Sequence, residues 1–152
     1  SLLYSIATSS FFGAGHFSPT VELPMTDRLF LAQSDVIRKF AAEGSCVIVG
    51  RCANYVLRDD EDTVDVFIHR DFEERVNQVS KIYDLNLKKA EETVKKIDKR
   101  RSNYYSYYSD KKWGQADNYD LCLNSGALGE DSCVDIIKSF IEKRNIRKKA
   151  RG

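Results

Sequence analysis

No apolar run in this chain approaches the roughly 18 residues that a membrane-spanning helix needs, and the pattern of a signal peptide is lacking. The expectation is a cytoplasmic chain with no membrane partner. Net charge is only +1, so no global field draws it to nucleic acid or to an anionic surface. Any electrostatic role has to be local. Cys-x-x-Cys spacing is absent, and Cys46, Cys52, Cys122 and Cys133 read as reduced thiols. His16 and His69 have no ligand-like spacing to them, so no metal site is expected. The triplet Gly13-Ala14-Gly15 lacks the Lys-Ser/Thr that follows in a phosphate-cradling loop. The chain also opens Ser-Leu-Leu-Tyr, without Met, as a fragment or a processed product does.

What is present is ordinary for a globular domain. At 152 residues, with 42% hydrophobic and 31% charged content, the chain reads as one domain with a real core. Residues 1–26 mix aromatics with Gly and Pro and read as irregular, with a short helix over 2–8. Thr26 or Asp27 can cap a helix running to about residue 43, with Leu29, Phe30, Gln33, Val36, Ile37, Phe40 and Ala41 on one stripe. Gly44 ends it.

Cys46-Val47-Ile48-Val49-Gly50 follows, an apolar run rich in β-branched residues. That is how a strand buried on both faces of a parallel sheet reads. Arg51 then sits at the C-terminal end, where open α/β sheets bind ligands. It either meets an anion or is a surface arginine after a core strand.

A helical turn over 53–57 and a charged turn over 58–62 lead to a second strand over 63–69. Asp71, with Glu74 three residues on, caps the next helix in capping-box fashion, and Asn86 caps a long one over 87–108. The long helix starts aliphatic and turns cationic and aromatic. A third strand over 119–124, a turn at Ser125-Gly126, and a last helix from Asp131 or Ser132 to about 144 complete the order. Val134, Ile137, Phe140 and Ile141 face inward on that helix, and a basic tail over 145–152 reads as solvated and frayed. Strands separated by helices imply a parallel sheet. Three strands are few for one, which suggests that strands are missing on the N-terminal side.

Four groups carry possible chemistry. Gly50 admits a close approach and Arg51 offers a planar fork that matches phosphate oxygens. Asp98 and Arg101 are three apart on one helical face, so the carboxylate can hold the guanidinium and leave its fork for a phosphate; the plain alternative is a solvated basic face. Asn124-Ser125-Gly126-Ala127, after the last strand, can meet a purine through backbone groups or can be a plain turn. Tyr104, Tyr105, Tyr107, Tyr108 and Trp113 either stack on bases or pack the end of a mobile helix onto the body.

Together, Val47-Ile48-Val49-Gly50-Arg51-Cys52-Ala53, Lys96-Ile97-Asp98-Lys99-Arg100-Arg101 with Tyr104-Tyr105, Lys112-Trp113-Gly114 and Tyr119-Asp120-Leu121 resemble the cytidylate kinase-like family of P-loop phosphotransferases. The resemblance runs from about Asp27 to Ile141. It implies a three-layer P-loop NTPase-like α/β fold whose N-terminal βα unit is missing here, with a lid over about 87–115. It implies transfer of the ATP γ-phosphoryl group to a nucleoside monophosphate, CMP-like or related, with ATP and Mg²⁺ as cofactors, small-molecule nucleotides as partners, and little activity in this chain alone. Arg51, Gln33 and Gly50 would bind the acceptor. Arg100, Arg101 and Asp98 would serve the lid and the catalytic step. Asn124, Ser125, Gly126 and Ala127 would lie near the adenine. The rival readings are a non-catalytic nucleotide-binding domain and a single-stranded nucleic-acid module using the tyrosine-rich helix.

Overall fold

The structure is a computed structural model that describes residues 23–150. The expected helix over 2–8 and the Gly13–Gly15 triplet lie outside the described residues. By contacts the chain forms two compact units. The first takes residues 23–63 and Tyr105–Lys111; the second takes Val64–Tyr104 and residues 112–150.

The first unit is built on helix α1, Met25–Glu43, and the one-turn helix α2, Ala53–Val56. Pro24, not Thr26 or Asp27, occupies the N-cap position of α1. Pro lacks an N–H and loses nothing there. Asp27 instead lies inside the first turn and is buried, at 3% exposure. Its carboxylate accepts hydrogen bonds from the hydroxyls of Tyr108 (3.1 Å) and Tyr107 (3.4 Å). A buried carboxylate needs such donors, because burial without them is costly.

The expected apolar stripe of α1 is only partly inward. Ile37 is buried and Phe30 and Ala41 are half-buried, whereas Leu29, Val36 and Phe40 are exposed. The inner face takes polar Ser34 instead, whose hydroxyl donates to the Phe30 carbonyl at 2.8 Å. The Phe30 ring stacks on Tyr108, with centroids 3.8 Å apart.

The strand expected over 46–50 is not formed. That run has no ladder partner among the described residues, and Val47 and Val49 are 93% and 88% exposed. An apolar, β-branched run favours extended backbone but becomes a strand only when a second strand satisfies its amides.

The second unit holds the sheet. Strand β1, Val66–His69, pairs in parallel with β2, Leu121–Asn124, in the register Val66↔Leu121 to His69↔Asn124. This is α/β architecture with a small parallel sheet, and two of the three expected strands are in it. Between the strands run α3, Phe72–Ile82, and α4, Leu87–Ser109. Asn86 caps α4 as expected, its Oδ1 accepting from the Lys89 amide at 2.9 Å. Val76 of α3 packs with Ala90 and Val94 of α4, flanked by Val79 and Leu85. The last five residues of α4, with residues 110–111, belong to the first unit.

A 3₁₀ turn, Ala116–Asn118, precedes β2. Where a turn was expected there is a one-turn helix α5, Ser125–Leu128, capped by Asn124, whose side chain accepts from the Gly126 and Ala127 amides. Helix α6, Glu130–Lys149, runs further than expected and takes in residues 145–149 of the basic tail. Arg147, Lys148 and Lys149 lie in its last turn, where the helix dipole favours cations. Its buried residue is Cys133, while Val134 and Ile141 face outward.

Phe67 of β1 anchors an aromatic cluster, with Trp113 edge-on at 5.4 Å and Tyr119 at 4.9 Å. Gly114 follows at φ +73°, and a Cβ there would lie 3.1 Å from the Phe67 ring. Gly114→Ala therefore meets both a left-handed backbone penalty and a crowded ring. Urea unfolding should show it destabilised by about 1–3 kcal/mol with an unchanged m-value.

Candidate functional site

In the first unit, Gly50, Arg51 and Cys52 adopt three successive positive φ values, +75°, +56° and +55°. Glycine does this freely; for Arg and Cys each costs about 1–2 kcal/mol. The reversal closes on itself through Ala53 N to Gly50 O at 3.1 Å and Val56 N to Cys52 O at 2.9 Å. Cys52 and Val56 are buried beneath it, and Arg51 is left exposed. Among the described residues Arg51 makes no hydrogen bond or ion pair, so its fork remains available to an anion.

Burial pushes the Cys52 thiol up to about 11, because a thiolate there would be desolvated. Cys52 is therefore a neutral apolar neighbour of Arg51 rather than a charged one. Gln33 is half-buried on α1. A groove of about 520 Å³ in this unit is lined by residues including Arg38, Val56 and the run Asp59, Asp60, Glu61. Neither Gln33 nor Arg51 lines it, and its acidic side repels phosphate.

In the second unit the C-terminal ends of β1 and β2 lie side by side. Asn124 Nδ2 donates to Asp71 Oδ1 at 3.3 Å, and Ser125 Oγ donates to the His69 carbonyl at 3.1 Å. Asp71 holds the N-cap position of α3 but makes no side-chain cap bond. The capping box with Glu74 is not formed; Glu74 pairs with Arg70 at 3.8 Å instead.

Arg70 reaches Gln78 through Nη1 at 3.1 Å and the Ser125 carbonyl through Nη2 at 3.3 Å. Its Nε is buried with no hydrogen-bond partner, so the 3.8 Å approach to Glu74 is ionic only. Gly126 sits against this group, and a Cβ there would collide with Glu74 Oε2. The amides of Gly126 and Ala127 are already engaged by Asn124 Oδ1, at 3.0 and 3.4 Å.

Asp98 does not hold Arg101. It pairs with Arg75 of α3 at 2.7 Å. Arg75 also donates from Nε to the Arg70 carbonyl at 3.1 Å and lies over the Phe72 ring. Tertiary packing presents Asp98 with the fork of a residue 23 positions away in the chain. Arg100 and Arg101 are exposed on α4 and make no hydrogen bond or ion pair among the described residues.

The tyrosine-rich end of α4 is spent in part on packing. Tyr105 and Tyr108 are 5% and 4% exposed, so their faces are not offered to bases, whereas Tyr107 is 60% exposed. Within one unit, then, Asp98 meets Arg75, and Asn124–Ala127 meet Arg70, Asp71 and Glu74. Gly50 and Arg51 share a turn in the other unit.

Sequence reasoning passed over Arg70 and Arg75. Arg70 directly follows β1, as Arg51 follows its apolar run, and the rule that singled out Arg51 applies to it equally.

The profile of the cytidylate kinase-like family matches residues 1–127. The chain belongs to the cytidylate kinase-like family. Among solved structures it is similar to an uncharacterized protein from Eubacterium ventriosum ATCC 27560, at 32% identity and a TM-score of 0.73. That match covers 84% of this chain and 69% of the other. Among curated proteins no match is found. No helix among the described residues is long and apolar enough to cross a membrane.

Two outcomes test this geometry of a cytidylate kinase-like chain. A double-mutant cycle on Arg75→Met and Asp98→Asn should give a coupling of about 0.5–1.5 kcal/mol in urea unfolding, while a cycle on Arg101→Ala and Asp98→Asn gives none. In a thiol-reagent time course at pH 8, exposed Cys46 and Cys122 should react first. Cys52 should lag them by more than about 100-fold and speed up as the pH climbs toward 11.

Proposed function

We propose that this chain is the acceptor-binding and lid part of an ATP-dependent nucleotide kinase that phosphorylates a nucleoside monophosphate, CMP-like or related. The observation that carries the reading is the family match over residues 1–127, which takes in every residue assigned a role.

In this reading Arg51 grips the acceptor phosphate. The Gly50–Cys52 reversal supports it by leaving the guanidinium exposed and, among the described residues, unpaired. Its planar fork suits a phosphate dianion, and the neutral Cys52 adds no opposing charge. Gln33 lines the acceptor pocket. Arg100 and Arg101 bear on the phosphoryl group in flight, where charge spreads over the equatorial oxygens and positioned cations lower the barrier. Asp98 acts through Arg75, bracing the lid helix against α3 rather than aiming Arg101. Lid arginines also exclude water that would otherwise hydrolyse ATP.

Asn124, Ser125, Gly126 and Ala127 lie near the adenine of ATP. The engaged amides of Gly126 and Ala127 leave carbonyl groups and the Asn124 turn as the recognition surface, not free N–H donors. No group of three or more His, Cys, Asp or Glu side chains among the described residues is placed to hold a metal ion; Mg²⁺ in such a kinase would be held chiefly by the nucleotide phosphates and would neutralise their charge.

Phosphoryl transfer from ATP to a panel of nucleoside monophosphates, measured with the full-length protein, tests the reading. Turnover should appear with at least one acceptor, and Arg51→Ala should raise its KM by about 10-fold or more, the loss of one charge-assisted contact. No turnover on any acceptor, or an Arg51→Ala enzyme indistinguishable from wild type, sinks it.

A further inference from the structure

The reversal that presents Arg51 is strained, and such a backbone persists only where its surroundings over-determine it. Two sources of restraint are local: the main-chain bonds that close the turn, and the burial of Cys52 and Val56. A third comes from far along the chain. Asn54 Nδ2 donates to the hydroxyl of Tyr105 at 3.0 Å, a contact between residues 51 positions apart.

Asn54 lies on α2, three residues beyond Arg51. Tyr105 lies on α4, four residues beyond Arg101 and therefore on the same helical face. Its ring is buried. The turn of α4 that carries it is itself held. Tyr108 donates to Asp27 and to the Thr26 carbonyl at 3.1 Å each, its ring stacks on Phe30, and the Ser109 hydroxyl donates back to the Tyr105 carbonyl at 2.6 Å. Asn54 thus bonds to a fixed point and not to a mobile side chain.

We propose that Asn54 and Tyr105 are positioning residues for the acceptor, a side-chain hydrogen bond that holds the Gly50–Cys52 reversal, and so the Arg51 guanidinium, against the last turns of the lid helix. The proposal rests on the kinase reading for its functional half. The pair touches no reacting atom. It limits the positions open to Arg51, so acceptor binding bears the effect and ATP binding does not.

Tyr105→Phe removes one oxygen and keeps the ring, and Asn54→Ala removes the donor. Three measurements decide the matter. In the nucleotide-free chain, amide exchange at Ala53, Tyr55 and Val56, whose N–H groups close the turn, should quicken by about 3- to 10-fold in either variant, the range of one net hydrogen bond. Unchanged exchange overturns the proposal whatever the enzyme does. In the full-length protein, each variant should raise the acceptor KM by a similar factor, with the KM for ATP unchanged. The double variant should be no worse than the poorer single one. If Arg51→Ala impairs acceptor use but Tyr105→Phe and Asn54→Ala do not, or if both KM values rise together, the positioning role is wrong and the kinase reading stands. If Arg51→Ala has no effect, the kinase reading falls and the positioning role falls with it.

Discussion

Two parallel strands cannot be joined by a tight turn, because the chain has to return to the starting end before the second strand begins. The pairing of Val66–His69 with Leu121–Asn124 imposes that journey. It makes room between the strands for α3 and α4, and it aligns both C-terminal ends at His69↔Asn124. Arg70 and Asp71 consequently leave β1 beside Asn124 and Ser125 leaving β2. The polar network there follows from register alone: a shift of the ladder by one residue would turn Asn124 to the other face and remove its contact with Asp71.

Helix α4 has three different working surfaces in sequence. Its first half presents Ala90 and Val94 to Val76, small and branched groups that let two helices approach closely. Midway, Asp98 meets Arg75 in a half-buried pair at 2.7 Å, where one charge-assisted bond does the work of several apolar contacts. Its last turns replace aliphatic packing with hydroxyls and rings: Tyr108 against Asp27 and Phe30, and Tyr105 against Asn54. A hydroxyl-to-carboxylate bond is directional where an aliphatic contact is not. The end of the helix is therefore held in one orientation around its axis.

Much of this was legible in the chain itself. The four longest helices were readable from periodicity, and the Asn86 cap from its position ahead of an apolar stripe. The strands over Val66–His69 and Leu121–Asn124 announced themselves as short apolar runs bounded by breakers. What misled was local plausibility. Cys46–Gly50 has the same composition as the other strands, but the described chain supplies it with no ladder. Asp27 and Asp71 look like caps, yet one is drawn inward by two tyrosines and the other meets Asn124. Asp98 and Arg101 share a face, yet Arg75 competes better. For the three aspartates the partner came from a segment distant in sequence.

The sequence by itself determined the α/β class, the order of the elements, the placement of Arg51 after an apolar run, and membership of the cytidylate kinase-like family, because these depend on patterns within short windows. Only the tertiary structure decided which carboxylate meets which guanidinium, that Gly50, Arg51 and Cys52 turn together through positive φ, and that Tyr105 and Tyr108 pack inward instead of facing solvent. Those outcomes depend on burial and on hydrogen-bond geometry between residues some 20 to 80 positions apart, and no local window contains both members of such a pair.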